Sequence, residues 1–164
     1  MEHKIKIYLD TSVPNFLYAD DAPQLKLATI DLFDNYIKNG IYKTHISNFV
    51  IQEINQTENI EKRNKLLHVI ETYHIHILSM DSMDEMQELA GKYMEKNIFP
   101  PKKVFDALHI ACSVIHKIDY LVSWNYQHLA NVNREKKIMI VNIENNYLHP
   151  LRIITPLELI YNET

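Results

Sequence analysis

Asp10, Glu53, Asp106 and Asn125 are the residues whose types and spacing point to chemistry. Three carboxylates and an amide offer oxygen donors alone, the set that suits Mg²⁺ or Mn²⁺. Asp10 closes the stretch Lys4-Ile5-Lys6-Ile7-Tyr8-Leu9, in which Ile5, Ile7 and Leu9 alternate with Lys4, Lys6 and Tyr8. That alternation predicts a strand. In open α/β sheets, ligands and catalytic groups collect at the C-terminal ends of strands. A carboxylate placed there must be solvated, paired or bound to a cation, because an isolated buried charge is too costly. Two carboxylates about 4 Å apart repel by roughly 1–4 kcal/mol at effective dielectrics of 80 to 20. A converged set therefore binds a proton or a cation. With a cation in place, the same oxygens can orient a water, lower its pKa and stabilise charge on a phosphate.

Several neighbours have two readings each. Thr11 and Ser12 orient Asp10 or contact a phosphate, or else cap the following turn. His109 stands three residues after Asp106 on one helical face, either as a donor to the acids or as a packed histidine. Trp124 and Tyr126 flank Asn125 and either stack on a base or pack against a helix. Lys102-Lys103 and Arg134-Glu135-Lys136-Lys137 hold a phosphate backbone or are solvated surface. Glu58 and Glu61 compete with Glu53 but lie farther from the strand end. The nine histidines form neither HExxH nor a Cys/His zinc pattern. Cys112 lies among apolar helix residues and is expected to be buried and inert.

The elements that must position these residues alternate between strand and helix. After the first strand, Val13-Pro14-Asn15 turns the chain. Leu25, Ala28, Leu32, Phe33, Tyr36 and Ile37 recur at helical spacing, and Gly40 stops that helix as a C′ residue. Residues 41–46 predict a second strand, and Ser47 caps a helix over 48–56 that carries Glu53. A helix over 60–73 and a short strand near 75–78 follow. Ser82-Met83-Asp84-Glu85 reads as a capping box. Pro100-Pro101 precedes a helix over 102–117 that carries Asp106. Residues 120–123 read as a central parallel strand with Asn125 just beyond it. Residues 138–141 form a second apolar run and predict another strand, while 144–152 are polar and irregular. Thr155-Pro156-Leu157-Glu158 opens a last short helix. The class is α/β with a largely parallel sheet, in one domain over 1–164.

Bulk composition removes other classes. With 164 residues, 46% hydrophobic and 23% charged, the chain has the size and balance of one globular domain. A net charge of −4 argues against indiscriminate binding to nucleic acid through a basic surface. Only Gly40 and Gly91 are glycines, so the Gly-rich phosphate cradles are absent. The single cysteine excludes an internal disulfide. With no apolar span or secretory leader in the sequence, the expected location is the cytoplasm.

Five segments, in order, resemble one family. They are Ile7-Tyr8-Leu9-Asp10-Thr11-Ser12, Val50-Ile51-Gln52-Glu53-Ile54, Phe105-Asp106-Ala107-Leu108-His109-Ile110-Ala111, Asp119-Tyr120-Leu121-Val122-Ser123-Trp124-Asn125 and Ile154-Thr155-Pro156-Leu157-Glu158. Together they resemble the PIN-domain ribonucleases, especially the VapC-like toxins of bacterial toxin–antitoxin pairs. The resemblance implies a three-layer α/β/α sandwich, a homodimer, a protein antitoxin as partner, and Mg²⁺- or Mn²⁺-dependent hydrolysis of RNA. It carries Asp10, Glu53 and Asp106 over as metal-binding acids. Where many members have a fourth acid this chain has Asn125, which keeps a ligand oxygen and removes a charge. One metal on Asp10 and Asp106, reached by Glu53 through water, is the reading that substitution favours. Two other classes compete. Aspartyl-phosphate phosphatases also place an aspartate after the first strand, but they need another two residues on, where this chain has Ser12. A PIN-like module with an incomplete site would bind RNA or protein without cutting.

Overall fold

Five short strands form one sheet in the order β3-β2-β1-β4-β5. They are β1 (Lys6–Leu9), β2 (Lys43–Ile46), β3 (His76–Ile77), β4 (Tyr120–Val122) and β5 (Arg152–Ile154), and all pairings are parallel. The computed structural model describes residues 3–125 and 131–160. Parallel neighbours need crossovers, which the helices provide. These are α1 (Ser12–Asn15), α2 (Pro23–Asp31), α3 (Asn48–Asn55), α4 (Ile60–Thr72), α5 (Met83–Glu95), α6 (Val104–Ile115), α7 (Val132–Glu144) and α8 (Pro156–Ile160). A wider-wound segment, Leu32–Ile37, extends α2. The architecture is thus a parallel sheet flanked by helices, as the sequence predicts. Among the described residues no helix is long and apolar enough to cross a membrane.

The central strand differs from its sequence reading. Tyr8, expected on a polar face, is fully buried with Ile7 and Leu9, whereas Ile5 is exposed. A strand with neighbours on both sides and helices on both faces has no solvent side. Polar atoms on it therefore need partners inside the protein, and the Tyr8 hydroxyl finds two, described below.

Helix ends follow local chemistry. Gly40, at φ +70°, donates to the Ile37 carbonyl at 3.0 Å, and Ile41 N–H reaches back to the Tyr36 carbonyl at 3.0 Å. These paired bonds make Gly40 the C′ residue of a Schellman motif. Ser47 caps α3, its Oγ accepting from Phe49 N–H at 3.2 Å. Ser82 sits at the N-cap of α5 without a side-chain capping bond, so the expected capping box is not closed.

Residues 138–141 are helical, not a strand. They lie in the middle of α7, with Ile138 and Val141 buried and Met139 and Ile140 exposed. The inward pair has i, i+3 spacing, which a run of four apolar residues conceals. Asn131 starts the helix by accepting from Asn133 and Arg134 N–H at 3.0 and 3.2 Å. The missing strand is β5, which begins at Arg152, the last residue of the segment read as irregular, and continues through Ile153 and Ile154. Glu135 of α7 covers it, with Oε2 accepting from Ile153 N–H at 2.5 Å.

Candidate active site

β1 delivers Asp10 at its C-terminal end, and the β1–β4 ladder continues through it, Asp10 N–H donating to the Val122 carbonyl at 3.1 Å. The side chain is 5% exposed. Two serines hold it. Ser12 Oγ donates to Oδ1 at 2.5 Å, reinforced by Ser12 N–H at 3.1 Å, and Ser123 Oγ donates to Oδ2 at 2.6 Å. Each hydroxyl in turn accepts from a backbone N–H just past β4. Trp124 N–H donates to Ser12 and Asn125 N–H donates to Ser123, both at 2.9 Å. The loop after β4 is thereby stitched to the loop after β1 around one carboxylate.

Burial raises the Asp10 pKa to about 6, and the charge of Asp106 pushes the same way. The charge of His109 and the two serine hydrogen bonds oppose the rise without cancelling it. Asp106 lies in the first turn of α6, half-buried, with Oδ2 shielded from solvent. Asp10 and Asp106 therefore sense one another as like charges.

Glu53 projects from α3 into a separate set of bonds. Its Oε1 accepts from Thr11 Oγ1 at 2.8 Å and lies 2.5 Å from His109 Nε2. Burial alone would raise its pKa, but the bond and charge of His109, the Thr11 hydroxyl and the charge of Lys103 outweigh it and hold the carboxyl below its ordinary value. Behind Glu53 the bonds run into the core. His109 Nδ1 lies 2.6 Å from the Tyr8 hydroxyl, which lies 2.6 Å from Ser47 Oγ, the cap of α3. Both protonation states of the ring satisfy the whole series: the neutral ring has Ser47 donating to Tyr8, Tyr8 to Nδ1 and Nε2–H to Glu53, and the charged ring has Nδ1–H donating to Tyr8 and Tyr8 to Ser47. His109 is therefore both the donor and the buried histidine that the sequence left as alternatives.

The structure places Asp10 and Glu53 in two hydrogen-bond networks past the C-terminal end of β1, which meet along the chain at Thr11 and Ser12, sets Asp106 near enough to Asp10 for its charge to act there, and places Asn125 half-buried beside Ser123. Among the described residues no three His, Cys, Asp or Glu side chains gather as a ligand set for a metal ion. Asp10 and Asp106 are near enough for the charge of one to act on the other, and two carboxylates are a donor set that Mg²⁺ accepts when water and substrate phosphate complete the shell. On donor chemistry the residues fit such an ion.

Other candidates move away from the chemistry. Trp124 is buried, its Nε1–H donating to Thr29 Oγ1 at 2.8 Å and its ring centroid 5.9 Å from that of Phe16, so it packs rather than offering a stacking face. Tyr126 lies outside the described residues. Arg134 lies over the Phe99 ring at 5.1 Å. Glu58 and Glu61 are exposed. Cys112 is fully buried, and burial pushes its thiol up to about 12, so it is inert as expected. The sequence reading missed Tyr8, Ser47 and Ser123. Ser123 had a signal, because it directly follows a buried strand next to the Asp10 strand. The sequence matches no protein-family model and no curated protein.

Proposed function

We propose that the chain is a metal-dependent endoribonuclease of the PIN type, hydrolysing RNA phosphodiester bonds at Asp10, Asp106 and Glu53. The observation that supports this reading best is the buried Asp10 carboxylate at the end of the central strand, gripped by two serines and charge-coupled to Asp106. Asp10 and Asp106 would hold Mg²⁺ or Mn²⁺. When bound, the ion supplies Lewis-acid stabilisation of charge on the phosphoryl oxygens.

The protein's own groups do the remaining work. Ser12 and Ser123 fix the Asp10 rotamer, so neither carboxylate oxygen has to be reoriented when substrate arrives. Glu53, kept ionised by His109 and Thr11, orients the attacking water and accepts its proton. The departing ribose oxygen takes a proton from solvent. Tyr8 and Ser47 hold the His109 ring, and through it Glu53, against rotation. Asn125 offers an uncharged oxygen at the position of a fourth acid. The same reading makes the chain a cytoplasmic homodimer, the toxin of a toxin–antitoxin pair restrained by a protein antitoxin.

Titrating Mn²⁺ into wild type, Asp10→Asn and Asp106→Asn, with RNA cleavage as readout, tests the assignment. Cleavage is expected in wild type only, with each variant losing at least about 100-fold. Undiminished cleavage by both variants would sink the site. The second reading, a PIN-like module that binds RNA or protein without cutting, is favoured by Asn125 and by the absence of a third gathered ligand among the described residues. RNA binding that survives EDTA, with no cleavage under any metal, would establish that reading instead.

A further inference from the structure

One face of the sheet carries Ile5 beside Tyr42, and Ile7 in a row with Tyr120 and Arg152, because side chains of residues paired in register share a face. At the N-terminal ends of the strands, away from Asp10, the Ile5, Tyr42, Tyr120 and Arg152 side chains of that face line a cleft of about 620 Å³. Ile154 on the same face lines it too, and α8 adds Leu157 and Glu158. The helix is tied to the sheet here, the Tyr42 hydroxyl donating to the Leu159 carbonyl at 2.9 Å. The volume lies within the roughly 300–1,000 Å³ range of small-molecule sites, which combine apolar walls with a few polar groups.

Three polar side chains meet this apolar lining. Tyr120 and Arg152 are cross-strand partners, so phenol and guanidinium stand side by side, and Glu158 joins them from α8. Among the described residues no hydrogen bond engages the side chain of any of the three. Arg152 Nε lies 3.9 Å from Glu135 Oε1, too long for a hydrogen bond, and among the described residues Arg152 and Glu158 form no ion pair with each other. One charge of each sign therefore stands over hydrocarbon with its hydrogen-bonding capacity unspent. That arrangement selects by charge. A phosphate dianion meets a single guanidinium and is repelled by Glu158, and an organic cation is repelled by Arg152. A ligand that carries one charge of each sign on an apolar body satisfies all of the lining. A peptide holds its two terminal charges far apart, whereas a free amino acid holds them on one carbon.

We propose that this cleft binds a free α-amino acid with an apolar or aromatic side chain. Its carboxylate accepts from the Arg152 guanidinium and the Tyr120 hydroxyl, and its ammonium donates to the Glu158 carboxylate. Its side chain lies against Ile5, Tyr42, Ile154 and Leu157. The site is separate from Asp10 and stands whether or not RNA is cut there.

L-Phenylalanine and L-leucine are titrated into the full chain by isothermal calorimetry, with EDTA present so that no cation bridges the ligand to Asp10. Saturable binding of at least one is expected, equal in wild type and Asp10→Asn. For the phenyl series, 3-phenylpropionate lacks the ammonium and 2-phenylethylamine lacks the carboxylate, and each should bind at least about tenfold more weakly than L-phenylalanine. Two variants then assign the charges. Glu158→Gln should abolish the preference for L-phenylalanine over 3-phenylpropionate, and Arg152→Gln the preference over 2-phenylethylamine, each with an unchanged far-UV spectrum. The absence of saturation with both amino acids overturns the proposal, and so does a preference that survives in its matching variant. Tighter binding of either single-charge analogue than of L-phenylalanine overturns it as well, and assigns the cleft to an organic anion or cation instead.

Discussion

Asp10 is held at a cost to the fold. Its pKa of about 6 exceeds the ordinary 3.8, so the folded protein binds a proton more tightly than the unfolded chain between roughly pH 4 and 6. Its contribution to stability therefore falls as pH rises through that window, by about 3 kcal/mol for a shift of this size. His45 works in the opposite sense. Burial drops its pKa to about 4, while its Nδ1 bonds the Ile7 carbonyl at 3.2 Å. The stability it contributes is complete above about pH 6.5 and is lost as pH falls toward 4. The two slopes oppose one another in wild type. Asp10→Asn should melt higher than wild type at pH 7 without metal, and its melting temperature should fall more steeply on acidification from pH 6 to 4. Parallel curves would show that Asp10 is not buried as charge. Tyr8→Phe keeps the packing but strips both His109 Nδ1 and Ser47 Oγ of a partner. It should cost about 1–3 kcal/mol by urea denaturation and slow RNA cleavage several-fold. The acids were legible in the sequence because each stands next to an apolar strand or helix stripe. Ser12 beside Asp10 was legible as well, but that Ser123 closes the clamp and that Tyr8 reaches His109 were not, because these partners stand more than 100 residues apart in the sequence.

Among the elements, helix α6 and strand β1 do most of the positioning. One face of α6 carries Asp106 and His109 one turn apart, and the Tyr8 hydroxyl of β1 locks the second. The helices and most strands were readable from apolar period and caps, Ser47 and Gly40 above all. The exchange of β5 for residues 138–141 has a specific cause. A three-residue strand holds too few alternations to show a period, and Ile138-Met139-Ile140-Val141 is equally apolar as strand or helix until its burial is known. Helix ends were harder to read where no glycine marks them. His74, Asn97, Lys117 and Asn146 all take positive φ. Lys117, at φ 56°, ends α6 in a Schellman pair, with Ile118 N–H reaching the Ser113 carbonyl at 2.9 Å. Lys117→Gly is expected to stabilise the protein by about 0.5–1 kcal/mol in chemical denaturation, since only glycine adopts that conformation without a side-chain penalty.

For the molecule as a whole, a single parallel sheet puts two unlike chemistries at its two ends. Buried acids sit at the C-terminal ends of the strands, and lysines at the N-terminal ends. Trp124 is the only tryptophan in the chain, and it is buried between the sheet and α2. Unfolding followed by its fluorescence should coincide with unfolding followed by far-UV circular dichroism, because the sheet and both helical layers share one apolar core. Separated transitions would mean that the layers unfold independently. The backbone of the same residue bonds Ser12, whose hydroxyl bonds Asp10. The backbone that carries the indole is thus linked to Asp10 through two hydrogen bonds. Nature has built the protein with its own optical gauge: Mn²⁺ reaching Asp10 should change emission near the indole without a dye or label, and Asp10→Asn should leave the signal flat.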